Sequence, residues 1–351
     1  MSEGEIIKQC SIILTRDCNL RCDFCFAKGA GYCRSDMVSF DNLKKIVDFC
    51  NELKVKYIFF TGGEPLLYPY LLEILSYIKK QKIPIITAVA SNGIILKDLH
   101  FCKKLIDYGL DYIDISMKGH DSHEWIETTG YNGYLQQQEA IRNISSLPIN
   151  FTCSMVVTSK NVLSICDYVE NSLKNGAKQF SFTFLIDNEI NQDKENKSYL
   201  ENYNPLKLIE KFISQLDRLN SITDNWWIEY SFPMCVYTEK QLAILKGRLA
   251  SPCQIHKKNA ITFDTNLNLL PCDMYFNNKI GRLGKDFVTA EDFKKWRSMK
   301  FYKDIIDNIS HLPSEECKKC KYLENCYGGC PVLWKNYCFE DLKLFKNRVK
   351  S

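Results

Sequence analysis

The chain has 351 residues, 45% of them hydrophobic, and its 46 basic and 42 acidic side chains leave a formal charge of only +4. That length accommodates one large α/β barrel, or a barrel with a smaller module. The charges are interleaved rather than gathered into a basic stripe, so no nucleic-acid partner is expected.

The opening, "MSEGEIIKQCSIILTRDC", lacks signal-peptide character, and no run approaches the roughly 20 apolar residues of a membrane span. A cytoplasmic protein with no membrane partner is expected. In such a reducing compartment its 17 cysteines, where clustered, read as metal ligands rather than disulfides.

From residue 11 to 186, apolar β-type runs alternate with amphipathic stretches. The predicted strands are "SIILT" (11–15), "YIFFT" (57–61), "IITAVA" (85–90), "YIDIS" (112–116), "FTCSMVV" (151–157) and "FSFTFLI" (180–186). Their largely apolar composition suits a parallel sheet covered on both faces. Leu43, Ile46, Val47 and Leu53 recur at helical spacing behind a Ser39 cap, and Leu71, Ile74, Leu75 and Ile78 repeat the pattern. The fold class is therefore α/β, a partial (β/α)6 barrel. A polar stretch near residue 187 and a helix over about 206–219 follow. Beyond about 235 come cysteines, short helices and hairpin-like pieces such as "AITFDTNLNLLPC". Residues 1–220 are expected to form the barrel, and 221–351 a bridging region and a metal-stapled module. Cys50, Cys102, Cys153 and Cys166 fall within strand or helix patterns and read as small buried hydrophobes.

"CNLRCDFCF" places Cys18, Cys22 and Cys25 in a C-x3-C-x2-C array directly after the first strand, on the rim where barrels of this type build active sites. Three cysteines fall one short of a closed zinc site or a fully protein-ligated iron–sulfur cluster. The second strand ends in "TGGEP", where Gly62 and Gly63 permit close approach to the backbone. Glu64 offers a carboxylate to an ammonium group, and Pro65 fixes the turn.

This pairing resembles the radical S-adenosylmethionine (SAM) superfamily. The resemblance implies that Cys18, Cys22 and Cys25 hold three irons of a [4Fe–4S] cluster and that SAM binds the fourth. One electron from that cluster would split SAM into methionine and a 5′-deoxyadenosyl radical. By position, Gly62, Gly63 and Glu64 match the site for the SAM amino group. Ser91 and Asn92 in "ASNG", and Ser116 and Lys118 in "ISMKG", match rim positions that contact ribose and carboxylate. Outside the resemblance, Ser91 reads equally well as a turn cap and Lys118 as a solvated charge.

"CKKCKYLENCYGGC" adds Cys317, Cys320, Cys326 and Cys330, with Cys338 beyond and Cys253 and Cys272 upstream. This set resembles the SPASM extension of radical SAM enzymes, which implies two auxiliary [4Fe–4S] clusters. Cys253, Cys272 and Cys330 would serve the first, and Cys317, Cys320, Cys326 and Cys338 the second. Read alone, the C-x2-C pair also suits a zinc ribbon. Two clusters need about eight thiolates, and Cys235 is the nearest upstream candidate to complete the first. An open iron, a non-cysteine ligand, or Cys235 as a hydrogen-atom donor are the alternatives. Where the family has a turn glycine before its second cysteine stands Leu267, so the left-handed position is expected to fall to Asn266.

The resemblance further implies an enzyme that modifies a ribosomally made peptide or a protein, with flavodoxin or ferredoxin as reductant. So few residues precede the first strand that a separate leader-peptide-binding protein, or the barrel mouth itself, is expected to recognise the peptide. Asp273, straight after Cys272, matches a base of anaerobic sulfatase-maturating enzymes. That makes formylglycine formation the alternative, with radical peptide epimerisation a third reading; structurally, Asp273 could instead serve only to accept backbone amides. A non-catalytic iron–sulfur carrier would have no use for the SAM motif.

Overall fold

The computed structural model describes residues 6–28, 33–186, 204–230, 232–250 and 253–335. Ten strands form one sheet: β1 (Gln9–Thr15), β2 (Tyr57–Gly62), β3 (Ile86–Ser91), β4 (Tyr112–Met117), β5 (Asn150–Val157), β6 (Phe180–Phe184), β7 (Trp226–Tyr230), β8 (Ala260–Phe263), β9 (Asn268–Leu270) and β10 (Gly281–Arg282). Their order is β10-β9-β8-β1-β2-β3-β4-β5-β6-β7. The run from β8 through β1 to β7 is parallel, whereas β9 and β10 pair antiparallel.

All six strands read from the sequence are present, and the parallel sheet extends beyond them at both edges. "WWIEY" adds β7 beside β6, and the "AITFDTNLNLLPC" hairpin contributes β8 to the free edge of β1. One sheet thus runs through residue 220, with strands from both sides of it. The helix expected over 206–219 is two, α7 (Pro205–Ser214) and α8 (Leu216–Ile222), meeting at Gln215.

The crossover helices α1 (Phe40–Glu52), α2 (Leu71–Lys79), α3 (Leu99–Asp107), α4 (Ser122–Thr129), α5 (Tyr134–Ser145) and α6 (Ile165–Lys174) follow from apolar stripes and caps. Ser39 caps α1 by accepting the Asn42 N–H at 3.3 Å, and Leu43, Ile46, Val47, Phe49 and Cys50 are its buried face. Cys102, Cys153 and Cys166 are likewise buried.

The two faces of the sheet differ in chemistry. Ile113, Ile115 and Met117 of β4 are buried, and Met117 receives a hydrogen bond from Ser172 of α6. Phe182, Phe184 and Trp226 pack edge-to-face with Phe212 of α7. These side chains form the helix-side core. By the two-residue alternation of a strand, Asp114, Ser116, Ser154, Ser181, Trp227 and Glu229 occupy the opposite, inner face. That face is more polar than uniformly apolar strands suggest.

The β8–β9 turn corrects one expectation. Leu267 itself, not Asn266, holds the left-handed conformation, at φ 65°. Asp264 accepts the N–H groups of Asn266 (2.8 Å) and Asn268 (2.9 Å), fixing the turn around it. Burial of the Leu267 side chain offsets part of the conformational cost.

Candidate functional site

The loop after β1 carries Cys18, Cys22 and Cys25 and is anchored on both flanks. Arg21 and Asp23 donate backbone N–H groups to Thr129 (3.1 Å) and Thr128 (2.9 Å) at the end of α4. Leu20, Cys22 and Phe24 form a small apolar cluster with Ile94, Trp125 and Leu185, against which Cys18 and Cys25 pack. The three thiols lie near enough that Cys22 and Cys25 push up the pKa of Cys18. Burial, the larger cause, takes it to about 12. Burial also raises Cys22, while Lys118 lowers it. A bound metal overrides such shifts by deprotonating its thiols outright. The Leu20 N–H already donates to Cys18 Sγ at 3.4 Å, a contact of the kind that tunes iron–sulfur centres.

"GGE" is built against this loop. Gly63 and Glu64 donate their N–H groups to the carbonyls of Thr15 and Asp17, both at 2.8 Å. A Cβ on Gly63 would lie 2.1 Å from the Asp17 carbonyl oxygen, and one on Gly62 2.3 Å from that of Thr15. The close approach that requires glycine is therefore made by the chain itself. Glu64 is 1% exposed, and its carboxylate accepts the N–H of Leu66 (3.1 Å) and of Asn92 (2.8 Å). Burial raises its pKa against the opposing pull of Asn92, Leu66, Ser91 and Lys118.

Ser91 and Asn92 are buried at the end of β3. Ser91 accepts the Gly93 N–H, and Asn92 donates to Asn19 of the cysteine loop at 2.7 Å. Lys118, 8% exposed, donates to Ser116 at 2.6 Å and stands over the Phe24 ring. The reading of Lys118 as a solvated charge is thereby corrected, because its ammonium is buried against the loop. Gln137 of α5 was not singled out in the sequence; it donates to the carbonyls of Asn92 (2.8 Å) and Ser116 (2.9 Å), tying β3 to β4. Nothing in "LQQQEA" distinguishes it, whereas Asn19 at least stands inside the cysteine array.

The C-terminal cysteines gather in two further threes. Cys253, Cys272 and Cys330 act on one another electrostatically, and burial raises all three, Cys330 to about 12. Cys317, near the surface, feels Cys326 and Cys320. Cys338 lies outside the described residues. Among the described residues no three His, Cys, Asp or Glu side chains converge tightly enough for a single metal ion. Tetrahedral zinc with ~2.3 Å bonds would draw its thiolates to ~3.8 Å of each other; a polynuclear cluster holds its ligands farther apart, and triads of thiols that sense one another fit it. Cys235 is exposed in the 3-10 turn Met234–Val236, and the neighbouring Met234 N–H donates to Cys326 Sγ at 3.3 Å. The turn also meets the first triad's segment, since Pro233 crowds Gly329 beside Cys330. Asp273 opens the 3-10 turn Asp273–Tyr275 beside Cys253, Cys272 and Cys330. Its carboxylate is raised by burial and held down by its own and the Met274 N–H groups.

Residues 12–162 match the sequence model of the Radical SAM superfamily. They form a radical SAM domain. A probable GTP 3′,8-cyclase of Thermococcus kodakarensis is 28% identical over 218 residues, 61% of this chain and 67% of its own length. One of Methanococcus maripaludis is 32% identical over 170 residues, 47% and 56% of the two chains. The chain thus spans between about half and two thirds of these relatives' lengths. Among solved structures, Streptococcus suis SuiB bound to its precursor peptide SuiA superposes with a TM-score of 0.69 at 17% identity, over 93% of this chain and 72% of that one. The enzyme anSMEcpe with bound AdoMet gives 0.69 at 20% identity, over 97% and 96%. These likenesses show the fold, a partial barrel of the radical SAM type. Residues 12–162 accordingly carry the radical SAM sequence pattern, within a chain that has the radical SAM type of fold. Among the described residues no helix is long and apolar enough to cross a membrane.

Proposed function

We propose that this radical SAM enzyme modifies a ribosomally made peptide or a protein, by crosslinking or related C–H activation. Cys18, Cys22 and Cys25 would hold the cluster, whose chemistry when bound is delivery of one electron to the sulfonium of SAM. Glu64, Ser91, Asn92, Ser116 and Lys118 would form the SAM cradle, with Glu64 and Asn92 fixing its backbone and Lys118 facing the carboxylate. Residues 221–351 would hold two auxiliary clusters, through Cys253, Cys272 and Cys330 and through Cys317, Cys320, Cys326 and Cys338. Cys235 would complete the first, and flavodoxin or ferredoxin would supply electrons.

The observation that carries this reading is the pair of cysteine triads beyond the barrel, in a fold that superposes on SuiB and anSMEcpe over nearly the whole chain. The SuiB structure holds its precursor peptide SuiA, and the anSMEcpe structure holds AdoMet. The second reading, GTP 3′,8-cyclisation, rests on relatives that match 61% and 47% of the chain. Formylglycine formation and peptide epimerisation are variants of the first reading, in which Asp273 or Cys235 would handle the hydrogen.

The test is incubation of reduced, reconstituted protein with SAM and either GTP or peptides encoded beside its gene. We expect 5′-deoxyadenosine, and a peptide whose mass has fallen by a hydrogen pair. Cyclised GTP with no peptide product would establish the second reading. Cys18→Ala, Cys22→Ala and Cys25→Ala should each abolish 5′-deoxyadenosine formation while the auxiliary iron remains.

A further inference from the structure

Two half-buried carboxyls on the inner face of the barrel, Asp114 and Glu229, have no part in the site described so far. Asp114 precedes Ser116 by two residues on β4, so it points the same way and lies about 6.6 Å deeper along the strand. Glu229 falls at the register shift of β7, and its neighbours Ser181 and Trp227 place it on the inner face. Ser154 of β5 and Ser181 of β6 are register partners on the strands between them.

The polar groups here are incompletely satisfied. Asp114 Oδ1 is buried and accepts no hydrogen bond. Ser181 has no exposed surface, and its hydroxyl faces Glu229 without completing a hydrogen bond. Asp114 is pushed up to about 7 by burial first and by the Glu229 charge second; Ser154 and Lys118 pull the other way. Glu229 is raised by burial too. Tyr112 shares this face with Asp114, and Cys153 senses the Asp114 charge from the helix side of β5. The Lys118 ammonium is engaged with Ser116 at the rim above. Buried polar atoms in native proteins nearly always have partners, and two carboxyls facing one space call for a proton or a cation.

We propose that Asp114 and Glu229, with Ser154 and Ser181 between them, form a subsite in the barrel interior for a positively charged nitrogen group of the substrate, an ammonium or a guanidinium. Such a group donates to Asp114 Oδ1 and neutralises the pair in one contact. The same face repels phosphate-bearing substrates. The inference deepens the peptide reading, and rests on it only for the bearer of the charge: a lysine, an arginine or an amino terminus.

The test is calorimetric titration of reconstituted, SAM-loaded enzyme with butylguanidinium and with the neutral, similarly shaped butylurea. Butylguanidinium should bind at least about tenfold more tightly than butylurea, and Asp114→Asn and Glu229→Gln should each weaken it about tenfold or more. SAM affinity should stay unchanged. Each substitution also removes a like-charge repulsion, so the thermal midpoint at pH 8 should hold or rise. Equal affinity for the two probes, no binding of butylguanidinium, undiminished binding in both variants, or a lowered midpoint in both would overturn the proposal. Failure of the titration alongside successful peptide modification would refute the subsite alone. Charge-selective binding with no peptide product would refute the peptide reading alone.

Discussion

Gly63→Ala tests whether the second strand positions the cysteine loop. Gly63 is not in the left-handed region, so alanine brings no backbone strain of its own, only a methyl group. That methyl would lie 2.1 Å from the Asp17 carbonyl oxygen, 2.7 Å from the Asp17 carbonyl carbon and 3.0 Å from that of Arg16. All three are backbone atoms, so no side-chain rotation relieves the contact, and ordinary packing needs about 1 Å of separation more. Overpacking of this kind costs about 1–3 kcal/mol. The shift also strains the 2.8 Å hydrogen bonds from Gly63 to Thr15 and from Glu64 to Asp17, each worth about 1 kcal/mol. We expect a loss of about 2–4 kcal/mol in urea unfolding of the apoprotein. Cys18 follows Asp17 directly, and metal ligands tolerate displacements of about 0.2 Å, so reconstituted iron at this site should fall sharply while auxiliary iron persists. Gly284→Ala is the control: its Cβ meets nothing within 4 Å, but φ is +85°, so only the left-handed penalty of about 1–2 kcal/mol applies. If Gly63→Ala keeps full iron and unfolds at the wild-type midpoint, the close packing of "GGE" on the loop does not govern the site.

Glu64→Gln turns an amide N–H2 toward the N–H of Leu66 or Asn92, leaving one buried donor opposed. Stability should drop by about 1–3 kcal/mol in urea unfolding, with weakened SAM binding in equilibrium dialysis; an unchanged midpoint would count against the double acceptor role. Because burial raises Asp114 from 3.8 to about 7, the native state holds a proton that the unfolded state has released. Its contribution to stability is therefore present below pH 4 and is lost as pH rises through about 7. Asp114→Asn should flatten that part of a pH–stability profile, with Glu229, also raised by burial, adding a slope of the same sign, and an unaltered profile would contradict the burial. Cys235→Ala should lower the iron count or convert the first auxiliary cluster by Mössbauer spectroscopy. An intact cluster with lost product would instead make Cys235 a hydrogen donor.

The barrel was legible in the sequence because parallel strands and their crossover helices each leave a local signature, whether an apolar run or a capped 3.6-residue stripe. The edges were not. "WWIEY" follows two helices rather than one, and β8 joins β1 from across some 250 residues, so pairing there depends on tertiary neighbours rather than on local pattern. At the site, the residues with chemical signatures were readable: the cysteines, the paired glycines and Glu64. Gln137 was not, since it holds the rim through backbone carbonyls that any sequence supplies. Leu267 was misread for a related reason. A left-handed leucine is disfavoured locally, and only its buried side chain and the capping by Asp264 make it the better occupant of the turn.

The inner face shows why the apolar reading of the strands stopped short of function. In "YIDISMK" the alternation of β4 assigns Ile113, Ile115 and Met117 to the helices, and Asp114 and Ser116 to the interior. Lys118, just beyond the strand, continues that inward row. Read as composition, Asp114 and Lys118 are two charges in an apolar run; read as a pleat, they are successive layers of one wall, acid below and base at the rim. The rim ammonium faces the cysteine loop and the carboxylate of Glu64. The deeper carboxyl senses the charge of Glu229 on the same inner face. A molecule entering from the rim would therefore meet positive charge first and negative charge beneath it. That polarity suits the carboxylate of SAM at the mouth and a cationic group anchored below.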